Sequence, residues 1–236
     1  MGAGLHRLFA LWRNPQLVLT SLTSDHDKKA GTVSAVAKFS MPSVKSSLTI
    51  EYSLRGSDGS LSVRQTLTPN PGAQVPGMFR YGLAIQLPDD MNISRFYGRG
   101  PVENYPDRRE CMRIGVYSLS ADDQCFPYIR PQESGTKGDM RWWKQMNEAG
   151  DGLMVTADSV FFASAIPYDI SALDDGDDKA QSHSFDVTRS NFTNLFIDSE
   201  HCGIAGTDSW GAWPLEHYRV KFGPKTVSIR LTPLSE

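Results

Sequence analysis

The chain has 236 residues, a formal net charge of −3 and 39% hydrophobic residues, so it is long enough and apolar enough to bury a core. Its lysines and arginines are scattered rather than clustered, which argues against a nucleic-acid partner. No stretch has the roughly 20 apolar residues of a membrane span and no signal-peptide pattern opens the chain, so we expect a soluble protein, with the compartment left open between cytoplasm and periplasm.

Helical periodicity occurs near the N-terminus. Apolar residues spaced at i, i+3, i+4 and i+7 run through residues 5–12, and Pro15 stops the pattern. The sequence therefore predicts one short N-terminal helix.

Strand periodicity is the main signal over the rest of the chain. Residues 33–39 alternate apolar and polar side chains, and residues 48–54 and 61–67 do so on either side of a Gly-Ser-Asp-Gly turn. Residues 218–222 and 227–231 repeat that plan around Gly-Pro, which predicts a C-terminal hairpin. This pattern is typical of an all-β sandwich. Without an internal repeat or a linker, we expect a single domain over residues 1–236.

Two segments are irregular and polar. Residues 98–138 are rich in Pro, Gly, Asp and Arg, and loops of that length in a compact domain are usually functional. Residues 174–178 read Asp-Asp-Gly-Asp-Asp, but they lack the spacing of a calcium loop, so a solvated acidic turn is favoured over a metal site. The three cysteines, Cys111, Cys125 and Cys202, form no CxxC pair, and unpaired, partly buried thiols are expected.

Acidic residues and a tryptophan are the chemical candidates. Glu103 and Asp107 suit the carboxylate pair of a glycosidase, but an ion pair with Arg108 inside one loop explains them more simply. Trp210 follows a glycine-rich run, and its indole is either a packing residue or a flat platform for the apolar face of a sugar.

The segments around these candidates resemble one enzyme family. Residues 99–108, R-G-P-V-E-N-Y-P-D-R, resemble the G-P-x-E-N-Y-P-D-R segment of β-galactosidases of glycoside hydrolase family 2, and residues 203–210, G-I-A-G-T-D-S-W, resemble that family's G-x-G-G-D-D-S-W segment. Residues 78–83, 127–128 and 131–135 also follow the family's order, so the resemblance covers nearly the whole chain. The chain departs from the family at Thr207, where Asp is frequent, and at residues 174–178, an insertion.

The resemblance implies the C-terminal domain of a larger enzyme, its small chain or fifth domain, slightly trimmed at the N-terminus. The implied fold is a large antiparallel super-sandwich similar to galactose mutarotase. The family's catalytic glutamates lie in a barrel that this chain lacks. The resemblance therefore implies no catalytic residue here, a retaining glycosidase as the parent, and no activity from this chain alone.

The resemblance also implies a substrate-binding set. The tryptophan matched by Trp210 stacks on the sugar, and Asp208, His201, Glu103 and Asn104 are further candidates. No metal or cofactor is expected in this chain, while Mg²⁺ and Na⁺ are implied for the other domains of the parent. The implied partners are a galactoside, the catalytic barrel of the same protein and further copies in a homo-oligomer.

Two other functions remain open on the sequence. An aldose epimerase would need a histidine base and a glutamate acid, for which His201 or His217 with Glu103 or Glu216 are available. A carbohydrate-binding module, or a small subunit that docks a separate catalytic chain, is the third reading.

Overall fold

Antiparallel β-structure dominates the computed structural model, which describes residues 4–174, 183–204 and 207–235. In these ranges the strands are β1 (Val18–Asp27), β2 (Thr32–Met41), β3 (Ser46–Arg55), β4 (Leu61–Pro69), β5 (Arg80–Pro88), β6 (Ile93–Gly100), β7 (Arg113–Ser120), β8 (Lys137–Met140), β9 (Trp142–Met146), β10 (Gly152–Ala157), β11 (Phe161–Ile166), β12 (Phe192–His201) and β13 (Lys225–Leu234). The short helices are α1 (Leu5–Leu8), α2 (Ala121–Gln124) and α3 (Ile170–Leu173), with 3₁₀ turns at Ala10–Trp12, Pro42–Val44, Ser184–Asp186 and Glu216–Tyr218.

The strands form two sheets of unequal width. The large sheet has nine strands in the order β1-β2-β3-β4-β13-β10-β9-β6-β7, and the small sheet has four in the order β5-β12-β11-β8. The small sheet packs on one face of the large one, called the inner face below, and apolar side chains from both sheets form one core cluster. This is the all-β antiparallel sandwich that the sequence predicted.

The core side chains come from alternating strand positions, as a sheet with one covered face requires. On the large sheet the rings of Phe96 and Trp143 stack with centroids 4.7 Å apart. On the small sheet Leu195 and Ile197 are fully buried, whereas the residues between and after them, Phe196 and Asp198, point to the opposite, outer face. That outer face carries the site described below.

The predictions for the N-terminal third are confirmed in position. The strands expected at 33–39, 48–54 and 61–67 are β2, β3 and β4, and Leu54 pairs with Leu61 across the turn. The N-terminal helix is shorter than expected, because α1 ends at Leu8 and a 3₁₀ turn carries the chain on to Trp12. The Trp12 indole donates to the carbonyl of Pro76 at 3.0 Å, and this hydrogen bond holds the N-terminal segment against the loop that precedes β5.

The predicted C-terminal hairpin is wrong. Residues 225–234 form β13, but its neighbours are β4 and β10, so both of its edges are occupied by distant strands. The expected partner segment contributes a 3₁₀ turn at Glu216–Tyr218 and one bridge between Val220 and Met78. The alternation of apolar and polar residues at 218–222 therefore reflects the burial of one side chain, Val220, and not the pairing of a β-strand.

The cysteines are unpaired, as expected: Cys111 is exposed, Cys125 half-buried and Cys202 buried. Burial raises the pKa of the Cys125 and Cys202 thiols, which favours the unreactive protonated form. No helix in the described ranges is long and apolar enough to cross a membrane.

A buried lysine belongs to a polar network that joins the two sheets. Lys137 Nζ donates to Gln124 Oε1 at 3.0 Å and to the carbonyl of Gly135 at 2.8 Å. The Gln124 amide donates to Ser94 Oγ at 2.8 Å, and that hydroxyl donates to Gln145 Oε1 at 2.7 Å. Burial lowers the pKa of Lys137 to about 7, because the attraction of Glu103 offsets only part of the cost of desolvating the charge.

This pKa predicts a pH dependence of stability. Between pH 7 and 10.5, the ordinary pKa of a lysine, the unfolded chain binds a proton at Lys137 that the folded chain does not, so the free energy of unfolding should rise with pH. The slope approaches about 1.4 kcal/mol per pH unit. Denaturant unfolding measured from pH 6.5 to 9.5 should show this rise in the wild type and lose it in Lys137→Met. Lys38→Met, on an exposed position of β2, is the control and should keep it; parallel curves for wild type and Lys137→Met would contradict the prediction.

Candidate functional site

The irregular stretches on either side of β7 and α2, residues 101–112 and 125–136, lie on the outer face of the small sheet and are called the loop layer below. They are joined to each other by backbone hydrogen bonds such as Asn104 N–H to the carbonyl of Thr136 at 2.8 Å. Tyr105 in the loop layer is fully buried, and its ring lies 5.3 Å from that of His201 on β12. The loop that the sequence marked as functional is therefore a third layer on the sandwich.

Asn104 is an internal anchor of this layer. Its side chain is fully buried. Its amide donates to the carbonyls of Arg99 at 3.0 Å and Val102 at 3.1 Å, and its Oδ1 accepts from Gly138 N–H at 2.9 Å. All of its polar atoms are used within the loop, so the expectation that Asn104 contacts a sugar is not supported by its position.

Glu103 joins the two ends of the same loop. One carboxylate oxygen accepts from Gly135 N–H at 2.8 Å, and the other accepts from the Tyr128 hydroxyl and from the Arg108 guanidinium. The ion pair with Arg108, the simpler of the two interpretations of this acid, is present. A carboxylate that accepts from three donors in the loop serves to hold the loop together.

A charged cluster ties the loop to the small sheet. Arg80 on β5 donates to Asp198 on β12 from Nε at 2.9 Å and from Nη2 at 2.6 Å, and its Nη1 donates to Glu133 of the loop at 3.2 Å. Burial opposes the charge of Arg80, but Asp198 and Glu133 outweigh it and raise the pKa of the guanidinium. Glu133 also accepts from the hydroxyls of Thr136 and Tyr105. Burial opposes the charge of Glu133 too, yet Arg80 and His201 lower the pKa of that carboxyl.

His201 sits at the edge of this cluster with only 4% of its side chain exposed. Its Nδ1 lies 2.8 Å from the carbonyl of Cys202, and its Nε2 lies 3.8 Å from Glu133 Oε1. Burial and the nearby Arg80 lower the pKa of His201, so the imidazole is neutral at pH 7. Its burial keeps it from contacting a ligand directly.

Asp107 links the two motifs that the sequence singled out. Its Oδ1 accepts from Ile204 N–H at 3.2 Å, which connects the E-N-Y-P-D-R segment to the segment that leads to Trp210. A Cβ placed on Gly203 would lie 2.3 Å from Asp107 Oδ2, so only glycine allows this approach. Gly203 N–H in turn donates to the carbonyl of Tyr218 at 2.7 Å.

Trp210 is presented by a turn that Asp208 organises. Asp208 Oδ1 accepts from Trp210 N–H at 2.8 Å and from Ala212 N–H at 3.1 Å, an Asx-type arrangement. The Trp210 side chain is 89% exposed within the described residues, whereas Trp213 lies under Arg219, whose guanidinium carbon is 5.0 Å from its ring. An indole held out by a fixed turn is available to a ligand or to another protein surface.

The structure thus separates the five predicted site residues into two groups. Glu103 and Asn104 lie in the loop layer with His201 beneath it on β12, while Asp208 and Trp210 form the neighbouring turn, and Asp107 connects the two. Sequence reasoning missed Arg80 and Asp198 as the hub of the layer. Residues 78–83 and 131–135 were noted only for their order along the chain, and nothing local marks Asp198.

Other candidates from the sequence do not form sites. Among the described residues no group of three or more His, Cys, Asp or Glu side chains could hold a metal ion. In the acidic stretch only Asp174 is described, where it pairs with Arg13, and residues 175–178 lie outside the described ranges. A cavity of about 460 Å³ opens on the face of the large sheet turned away from the core, lined by residues such as Glu51, Arg64 and Arg230, and none of the five site residues lines it.

Comparison with known proteins agrees with the sequence resemblance. The family described as "Beta galactosidase small chain" matches residues 5–231. The chain is 33% identical over 213 residues to a β-galactosidase of Lactobacillus delbrueckii subsp. bulgaricus and 29% identical over 219 residues to one of Priestia megaterium, which covers 89% and 90% of this chain. In both comparisons the chain spans 20% of the length of the relative.

Likeness to solved structures is looser. The galactosidase domain of an α-galactosidase–sucrose kinase aligns with 93% of this chain and 28% of its own, at 10% identity and a TM-score of 0.49, and no assignment rests on it. The family match covers nearly all of the chain and includes both motifs that meet at Asp107. The chain belongs to the β-galactosidase small-chain family.

Proposed function

We propose that this chain forms one side of the sugar-binding site of a β-galactosidase and presents Trp210 to the galactoside, while hydrolysis takes place elsewhere in the enzyme. The observation that carries the proposal is Trp210 itself: a tryptophan 89% exposed, in a turn fixed by Asp208, inside a segment that matches this family. A flat indole buries the apolar C–H face of a pyranose and leaves the hydroxyls to other groups.

Glu103 and Asp107 are placed to hold the fold together rather than to act as catalytic acids. A retaining glycosidase places two carboxyl groups about 5–5.5 Å apart on either side of the scissile bond. Glu103 and Asp107 instead accept backbone N–H groups within the fold. The acid/base and the nucleophile of a retaining mechanism are therefore assigned to a barrel outside this chain, in agreement with relatives about five times its length.

The remaining predicted site residues fit a positioning role. Asp208 sets the backbone of Trp210, and Glu103, Asn104 and His201 hold the loop layer through buried contacts. Mg²⁺ and Na⁺ in the other domains of the parent enzyme stay a prediction. A homo-oligomer of the parent stays a prediction.

The aldose epimerase alternative is not favoured. His201 is buried, and Glu216 is paired with Lys221 at 2.6 Å on the surface. The small-subunit arrangement keeps some support from the family description, but the relatives carry the matching segment within one long chain. In either arrangement the same turn would face the catalytic part.

Loss of the indole should weaken sugar binding. In the enzyme that carries this chain, Trp210→Ala should raise KM, and the inhibition constants of galactose-like ligands, by roughly 10- to 100-fold, because about 1–3 kcal/mol of apolar contact is lost. Trp210→Phe should recover part of the loss. Trp142→Ala, on the large sheet, is the control. Wild-type kinetics with a lower melting temperature in Trp210→Ala would make this residue a packing residue.

Asp107 should act through the Trp210 segment. Asp107→Ala should raise KM in the same direction as Trp210→Ala, and the double variant should be no worse than the more damaging single one, since coupled residues are not additive. Glu110→Ala removes a neighbouring carboxylate that is exposed and should leave KM unchanged. Fully additive effects on KM would show that Asp107 does not position Trp210.

The chain by itself should be inactive. Purified chain assayed with a chromogenic β-galactoside should match the buffer blank, because Glu103 and Asp107 hold the fold and the two acids of a retaining mechanism are proposed to lie in the barrel. Circular dichroism of the same sample should show folded β-structure, which excludes unfolding as the cause of the inactivity. Turnover that Glu103→Gln abolishes would overturn the proposal.

A further inference from the structure

The inner face of the large sheet extends beyond the small sheet. Gln65 on β4 donates from Nε2 to the carbonyl of Gly82 on β5 at 3.4 Å, and the Tyr81 hydroxyl on β5 donates to the carbonyl of Gln65 at 3.3 Å. These contacts place β5, an edge strand of the small sheet, over β4. Strands β3, β2 and β1 continue the large sheet past that edge.

The part of β1–β3 beyond the edge carries apolar side chains on its inner face. We call Leu22, Val33, Tyr52 and Leu54 the overhang face. Their exposed fractions are 64%, 47%, 37% and 45% in the described structure. Val33 lies directly opposite Leu54 and Leu54 opposite Leu61, so the overhang face continues into the covered part of the sheet.

The opposite side of the same strands is polar. Ser34, Glu51 and Ser53 alternate with the overhang residues along β2 and β3. An antiparallel sheet with one apolar and one polar face normally has the apolar face covered. Nearer the 3₁₀ turn at Pro42–Val44 this rule is obeyed, because Met41 and Leu48 are buried.

The kind of cover follows from the neighbouring edge. In the described structure β5 pairs only with β12, so its other edge presents backbone donors and acceptors beside the overhang face. Edges of this kind accept further strands. A strand added to β5 would lie above β3 and would direct alternate side chains onto Tyr52 and Leu54.

We propose that the overhang face is covered by β-strands that the remainder of a larger β-galactosidase supplies, and that these strands extend the small sheet from the edge of β5. The inference rests on the proposed function, because it needs the larger enzyme. It is supported by relatives in which the matching segment is about 20% of the chain, which leaves ample polypeptide to provide the strands.

The first test reads burial directly and does not depend on activity. The chain alone and the assembled enzyme are labelled with a photoactivated carbene, and labelling is measured by mass spectrometry. Leu22 and Leu54 should be labelled several-fold less in the assembled enzyme, and the amide hydrogens of β5 should exchange more slowly there. Equal labelling in both samples would overturn the proposal, whatever the kinetics of Trp210 variants show.

The second test uses adjacent residues on opposite faces of β3. Leu54→Asp should lower the melting temperature of the assembled enzyme by several degrees while that of the chain alone stays nearly unchanged. Ser53→Asp adds the same charge on the polar face and should change neither. Equal loss in both samples for Leu54→Asp would mean that Leu54 stabilises the chain itself, contrary to the proposal.

A second copy of the chain is the rival occupant. If the overhang face pairs two copies, the chain alone will reach twice its monomer mass as concentration rises in sedimentation, and Leu54→Asp will restore the monomer. That result would overturn the proposal in favour of a homodimer. A chain that remains monomeric, together with protection in the assembled enzyme, would support it.

Discussion

The ion pair between Arg80 and Asp198 is the interaction on which the loop layer depends. Asp198 projects from the middle strands of the small sheet and is nearly fully buried, so its charge requires a partner within the fold. Arg80 supplies two donors to it and a third to Glu133. Removing one member of such a group costs roughly 3–5 kcal/mol because the other charge is left unpaired. The group therefore fixes where the irregular segment can lie.

The sequence predicted β2, β3 and β4, each with one face in solvent, and missed β12 and β1, in which the two faces are alike. Apolar and polar residues alternate along β2, β3 and β4 because one side of each strand faces solvent, and this alternation can be recognised in the sequence. β12 is buried on both faces, between the core and the loop layer, so its sequence has no alternation to find. β1 is exposed almost throughout, and its sequence has no alternation of apolar and polar residues that would predict a strand.

The C-terminal hairpin failed for a related reason. Alternation reports which side of a segment is buried but not which strand lies beside it. β13 is inserted between β4 and β10, and its partners are set by packing over the whole sheet rather than by the turn before it. The alternation in residues 218–222 is the same for a strand and for an irregular segment in which only Val220 is buried, so it does not distinguish the two.

The two motifs that the sequence singled out are in contact, because Asp107 of one accepts from Ile204 N–H of the other. Gly203 permits this close approach, while Gly206 lies outside the described residues. Their part in binding a sugar stays a prediction. The anchoring role of Asn104 arises only when the loop folds back and its side chain accepts from Gly138 N–H. Arg80 and Asp198 are 118 residues apart in the chain. No local sequence pattern can therefore indicate either the Asn104 contacts or the Arg80–Asp198 ion pair.

The loop layer and the overhang face differ in how completely their side chains are covered or paired within the described structure. The buried charges and amides of the loop layer are satisfied within it, and they reduce the number of paths the loop can take, which suits a surface that must hold an aromatic ring in one place. The overhang face has the reverse property: its strands are fully hydrogen-bonded and well defined, yet its apolar side chains lack a covering layer among the described residues. A surface completed internally is suited to contact a small ligand, whereas one left apolar is suited to assembly with more protein. The two proposals therefore give the two surfaces different partners, the galactoside at Trp210 and the rest of the enzyme at β1–β3.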